Sequence, residues 1–265
     1  MLLDFERLGW LRWLLGIVGA VACIFLLLPI LFIVLLSFGS SRWLIFPPPA
    51  WTLKWYAAFF ANPQWIHSVL TSAKIGVLVA LCSVLLGFWS ALAITRGTFR
   101  GKSVLRVFLL MPMVLPVVVL AVGIYSLFLR VGLNGTLPGF VLAHLVIALP
   151  FSVIVIGNAL LHFDKSIEDA AILCGATPLQ AKLRVTVPAI RFSLFTAAIF
   201  SFLASWDEIV IAIFMASPTL QTFPVKIWTT LRQDLTPVIA AASSLLVLLT
   251  ILLLATSALL MRKRR

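Results

Sequence analysis

The residues of this chain best placed for chemistry are two adjacent carboxylates, Asp207 and Glu208, inside an otherwise uncharged apolar stretch. Paired carboxylates can divide acid and base roles when their surroundings separate their proton affinities. In a membrane they can instead attract a cation or neutralise a buried lysine. Counted along a continuous helix from Arg191, Asp207 lies about 24 Å up, in the outer half of a bilayer. Lys74 falls at a similar expected depth, so an Asp207–Lys74 ion pair competes with a cation path lined by Asp207, Glu208 and Lys74. Adjacent helix positions point about 100° apart, so one carboxylate of the two is expected to face the lumen.

Other reactive side chains form no constellation. His67, His144 and His162 lack metal-ligand spacing, and His144 reads as a hydrogen-bonded packing residue. Cys23 and Cys82 lie within apolar runs and Cys174 in a polar segment, so no disulfide framework is legible. Neither a metal nor a cofactor is expected in this chain. The four tryptophans of residues 39–66 (Trp43, Trp51, Trp55, Trp65) suit an interfacial aromatic belt, and residues 54–60 suit a short surface helix.

The elements that must position these groups are membrane spans. The chain has 265 residues, 63% of them hydrophobic, with a mean hydropathy of +1.18, far above a soluble domain whose apolar share is about half. A spanning helix needs about 20 apolar residues. On that length the uncharged runs predict six spans, at 13–38, 68–94, 105–129, 140–161, 190–214 and 237–261, forming one membrane domain over 1–265. The first apolar run is expected to stay as an uncleaved span. The outer segments hold Arg42, Lys54, Arg130, Lys226 and Arg232, with Lys74 inside a span; every other basic residue falls on the side of the two termini. This bias predicts both termini in the cytoplasm. It also makes the net charge of +12 a matter of topology rather than of nucleic-acid binding. Asp234 is expected as a solvated charge in the last outer loop.

Between spans four and five lies a polar island, residues 162–189. Asp164 or Ser166 can cap a first helix, and Gly175 can end it with a positive φ. Thr177, Pro178 and Gln180 then supply a cap, a first-turn proline and a capping-box partner. Pro188 is expected to stop the second helix. A capped hairpin between spans is a natural docking lever. Its apolar positions Ile167, Ala170, Ala171, Leu179 and Leu183 suit a partner's groove, and Glu168 suits a specific polar contact.

The same residues carry a resemblance. Glu168, Asp169, Ala170 and Ala171, then Gly175, then Val185-Thr186-Val187-Pro188 resemble the Glu-Ala-Ala loop of ABC-importer permeases, with the spacing matched throughout. The departures are Asp169 at an alanine position and valines at the isoleucine and leucine positions. Ser205-Trp206-Asp207-Glu208 is similar to the fifth-span acidic pair of spermidine/putrescine-type permeases. The resemblance implies an all-α, six-helix, type I permease bundle in a bacterial inner membrane, with a cytoplasmic coupling-helix hairpin. It further implies cytoplasmic ATPase subunits that bind the ATP, a second homologous permease, and a solute-binding protein outside. Glu168, Asp169, Ala170, Ala171, Gly175, Leu179, Leu183 and Pro188 would then serve coupling. Two other classes compete: an ion-driven secondary carrier using Asp207 and Glu208, and an intramembrane enzyme. The lack of inverted repeats opposes the first, and the lack of an accompanying nucleophile or metal set opposes the second.

Overall fold

The computed structural model describes residues 10–233 and 236–262. The topology residues Arg7, Lys263, Arg264 and Arg265, and the loop residue Asp234, lie outside the described residues. Among the described residues the fold is all-helical; extended pairing is limited to isolated bridges, Gly39 with Trp51 and Ser217 with Leu220. The chain divides into two compact units.

The first unit comprises residues 1–62 and 230–248. Its main element is α1 (Leu11–Ser37), whose most apolar stretch has no buried residue. A helix that is apolar all round and uncovered by its own chain requires lipid or another subunit as solvent. The following loop folds back on α2 (Lys54–Ala61), the short helix expected there. Trp55 Nε1 donates to the Gly39 carbonyl at 2.7 Å, and the Ser37 and Tyr56 hydroxyls meet at 2.7 Å. Trp43 and Trp51 remain exposed, as a belt of interfacial indoles requires.

The second unit, residues 63–229 and 249–265, holds the helix bundle. α3 (Pro63–Arg96) begins five residues before the expected span, with proline at its first position, where the missing N–H costs nothing. It packs on α6 (Leu137–His162) and α10 (Arg191–Trp206). The buried stripe of α3 includes Ser68, Ser72, Ile75, Gly76, Val79, Ser83 and Gly87. Such small residues let helix backbones approach closely, which drives association where apolar burial cannot. Gly87 shows the fit: a Cβ there would stand 2.6 Å from Ser152 Cβ of α6. At mid-bundle Ser83, Ser152 and Ser201, one from each helix, close a ring of hydroxyl contacts at 2.9–3.0 Å. Hydrogen bonds across helices replace the water that hydrocarbon lacks.

Two expected spans are broken. In place of a helix over 105–129, α4 (Lys102–Leu110) leads through a tight turn at Met111–Met113 to α5 (Val117–Arg130), with a bend of 104°. Pro112 and Pro116 cause it, since each removes an N–H and clashes with the preceding turn. In place of a helix over 190–214, α10 ends at Trp206 and a separate α11 (Val210–Met215) follows. Among the described residues four helices are long and apolar enough to cross a membrane, or up to six if each bent pair, 102–113 with 117–130 and 178–189 with 191–206, counts as one span. The remaining helices are α7 (Lys165–Leu173), α8 (Pro178–Ala181), α9 (Val187–Ala189), α12 (Phe223–Gln233) and α13 (Val238–Arg262).

Candidate functional site: a latched helical hairpin

The hairpin at 164–189 is built by its own caps. Asp164 accepts the Ser166 N–H at 2.9 Å and caps α7, resolving the choice between those two residues. That same backbone hydrogen bond holds the Asp164 carboxyl below its ordinary range. α7 ends where Gly175 adopts φ +96°. The Ala176 N–H reaches the Ala171 carbonyl at 3.0 Å and the Gly175 N–H reaches Ile172 at 2.9 Å, closing a Schellman-type turn. Thr177 and Gln180 then form a complete capping box at 3.2 and 3.0 Å. The second arm continues past α8 as a π-type turn, Lys182–Thr186, into α9. Pro188 therefore does not stop this arm. The wider turn leaves the proline inside the last helical segment, and the break falls at Ile190, where the chain bends by 76° into α10.

One carboxylate fastens the two arms to the bundle. Glu168 is buried, 4% exposed. Its Oε2 accepts from Arg96 Nη1 at the end of α3 and from the Thr186 hydroxyl at 2.8 Å, while Lys182 Nζ lies 3.5 Å from Oε1. Burial pushes the Glu168 carboxyl up, but the Thr186 hydroxyl, Arg96 and Lys182 together outweigh it and hold the group below the ordinary carboxylate range. Glu168 thus has three partners within its own chain. It reads as a latch joining α7, the π-type turn and α3. Arg96, Lys182 and Thr186 were missed from sequence as its partners. Arg96 lies 72 positions away, and no local periodicity announces such a contact.

The hairpin exposes large apolar side chains among its polar ones. Ile167, Ile172, Leu173, Leu179 and Leu183 are all exposed, Leu173 by 89%. Asp169 and Ala170, which follow the latch residue on α7, are exposed, and Ala171 is half-buried.

The acidic pair occupies the break between α10 and α11. Glu208 Oε1 accepts the Ile211 N–H at 2.7 Å, so this carboxylate is committed to the start of α11. Competition from such a side chain for backbone N–H groups favours ending the helix here. Asp207, at the end of α10, is exposed. Among the described residues no ion pair joins Lys74 to it; the ion pairs found there join Glu168 to Arg96 and Lys182. Lys74 lies off the buried stripe of α3, beside a cavity of about 250 Å³ shared with His67, Leu70 and Leu137. His144 is fully buried with Nδ1 2.8 Å from the Ser205 hydroxyl, the packing role expected of it. Among the described residues no group of three His, Cys, Asp or Glu is placed to hold a metal.

The all-helical fold thus places a capped hairpin between two of its bundle helices, α6 and α10. Residues 83–265 match the family described as the binding-protein-dependent transport system inner membrane component, and the chain belongs to that family, the non-enzymatic permease subunits of ABC importers. It is 29% identical over 222 residues to the putrescine transport system permease protein PotI of Escherichia coli K12, covering 81% of this chain and 79% of that one. It is 27% identical over 215 residues to the spermidine/putrescine permease PotC of the same organism, covering 81% of each. The trehalose permease SugB of Mycobacterium tuberculosis is 30% identical over 181 residues, 68% of this chain and 66% of that one. The fold is similar to that of a bacterial alginate ABC transporter crystallised with a pentasaccharide-bound periplasmic protein (TM-score 0.74, 16% identity, 96% of this chain and 94% of that one).

Proposed function

We propose that this chain forms part of the translocation pathway of a polyamine-type importer and is driven through the hairpin at 164–189. On this reading both termini and the hairpin are cytoplasmic, ATPase subunits bind ATP and receive the hairpin in a groove, and a second permease completes the pathway. A solute-binding protein outside delivers the substrate, a putrescine- or spermidine-like cation. The observation that carries the coupling role is the combination of exposed Ile167, Leu173, Leu179 and Leu183 with the buried Glu168 latch. Apolar knobs on a helix are what a groove takes up, and a latch of Arg96, Thr186 and Lys182 on one carboxylate transmits a push instead of absorbing it.

The polyamine substrate is supported by PotI and PotC and by Asp207. An exposed carboxylate at a helix break in an apolar segment is stable only facing water or a cation. Glu208 supports the break itself and Lys74 stands apart, so Asp207 is the member of the three assigned to the cation. The test is uptake of labelled putrescine by the whole transporter in proteoliposomes. ATP-dependent, vanadate-sensitive uptake is the expected result. Uptake driven by a proton gradient alone, without the ATPase subunits, overturns the reading.

A further inference from the structure

A second feature of the hairpin end is a cavity of about 390 Å³ between the end of α3 and the start of α7. One wall is the stripe Trp89, Leu92, Ala93 and Arg96, spaced as successive turns of one helix face. The other carries Lys165 and Lys182, with Glu168 between them. Trp89 is 41% exposed, and it stands seven residues, about 10 Å, from Arg96 along the axis. The cavity therefore grades from an interfacial indole through aliphatic side chains to a cluster of cations. That is the gradient of a phospholipid from acyl chain to headgroup.

The charges are not balanced within the protein. Three cations line the cavity against one carboxylate, and Glu168 is already held by Arg96 and Lys182. Arg96 Nη2 is buried without a hydrogen-bond acceptor. Lys165 stands exposed in the first turn of α7, where a cation opposes the helix dipole. Its position there is unfavourable for the helix and suits an anion next to it.

We infer that this cavity binds the phosphate of an anionic phospholipid, with Lys165, Lys182 and Arg96 as the cationic wall and Trp89 against the glycerol–acyl region. The lipid would hold the base of the hairpin against the membrane surface, so the site rests on the cytoplasmic hairpin reading above and extends it.

The test uses the whole transporter in nanodiscs of phosphatidylcholine with a minor share of phosphatidylglycerol. Lipid retained after extraction is counted by native mass spectrometry. Wild type is expected to retain phosphatidylglycerol above its bulk share. Lys165→Gln is expected to lower that retention about fivefold, the effect of one cation near an anionic leaflet, and Lys165→Arg to restore it. Trp89→Ala is expected to lower retention of either lipid. Retention of the two lipids in their bulk ratio by wild type, or no change in Lys165→Gln, overturns the site. Displacement of the retained phosphatidylglycerol by added inorganic phosphate also overturns it in favour of a soluble-anion site. Uptake by the same variants in proteoliposomes separates this from failure of the transport reading, because lipid counts do not depend on uptake.

Discussion

Glu168 carries the strongest single constraint in the hairpin, and its protonation sets a pH window. Its carboxyl is held below the ordinary range in the fold, so the latch contributes stability above the unfolded-state value and loses it as pH falls through the folded value. Thermal unfolding of the purified chain should therefore be insensitive to Glu168 from neutral pH down to the ordinary carboxylate range and weaken only below it. Glu168→Gln should remove that acid limb and lower stability by about 2 kcal/mol, the scale of a charged hydrogen bond. Thr186→Val, which deletes one neutral donor, should cost about 1 kcal/mol. A Glu168→Gln protein with the wild-type acid profile would contradict the latch. Asp207→Asn should reduce putrescine uptake with little change in unfolding temperature, since Asp207 is exposed and unpaired with Lys74. A fall in stability alone would instead make Asp207 a structural residue.

At the scale of elements, the hairpin turns on Gly175 at φ +96°, with open space where a Cβ would go. Gly175→Val should cost roughly 1–2 kcal/mol from the left-handed conformation alone, re-aiming α8 without disturbing the bundle. Gly87→Leu acts oppositely, forcing α3 off Ser152 and costing about 1–3 kcal/mol of bundle stability, read by thermal unfolding in detergent. The hairpin's caps were legible in sequence because Asp164, Gly175, Thr177 and Gln180 act within a few residues of themselves. The bend at Pro112 and Pro116 was legible as a disturbance but not as a 104° turn, because proline fixes a break and neighbours fix its angle. The end of α10 was hidden: nothing in the residues around 207–209 names a stop as proline or glycine would, and the hydrogen bond from the Ile211 N–H to Glu208 marks it. Arg96 and Lys182 were legible as topology signals, whereas their meeting at Glu168 depends on the packing of α3 against the hairpin.

For the whole molecule, composition alone places the chain in a bilayer, since an apolar share of 63% leaves too little polar surface for a soluble domain. Membership of the permease family then explains the two otherwise costly features, an uncovered apolar α1 and a hairpin with Leu173, Leu179 and Leu183 in the open. Both are surfaces for something outside this chain. The central claim is that force enters through the hairpin. It is tested most directly by ATP-driven putrescine uptake into proteoliposomes holding the complete transporter, wild type against Gly175→Val. Uptake should fall sharply in the variant while its membrane insertion stays normal. Wild-type uptake by Gly175→Val would contradict the account.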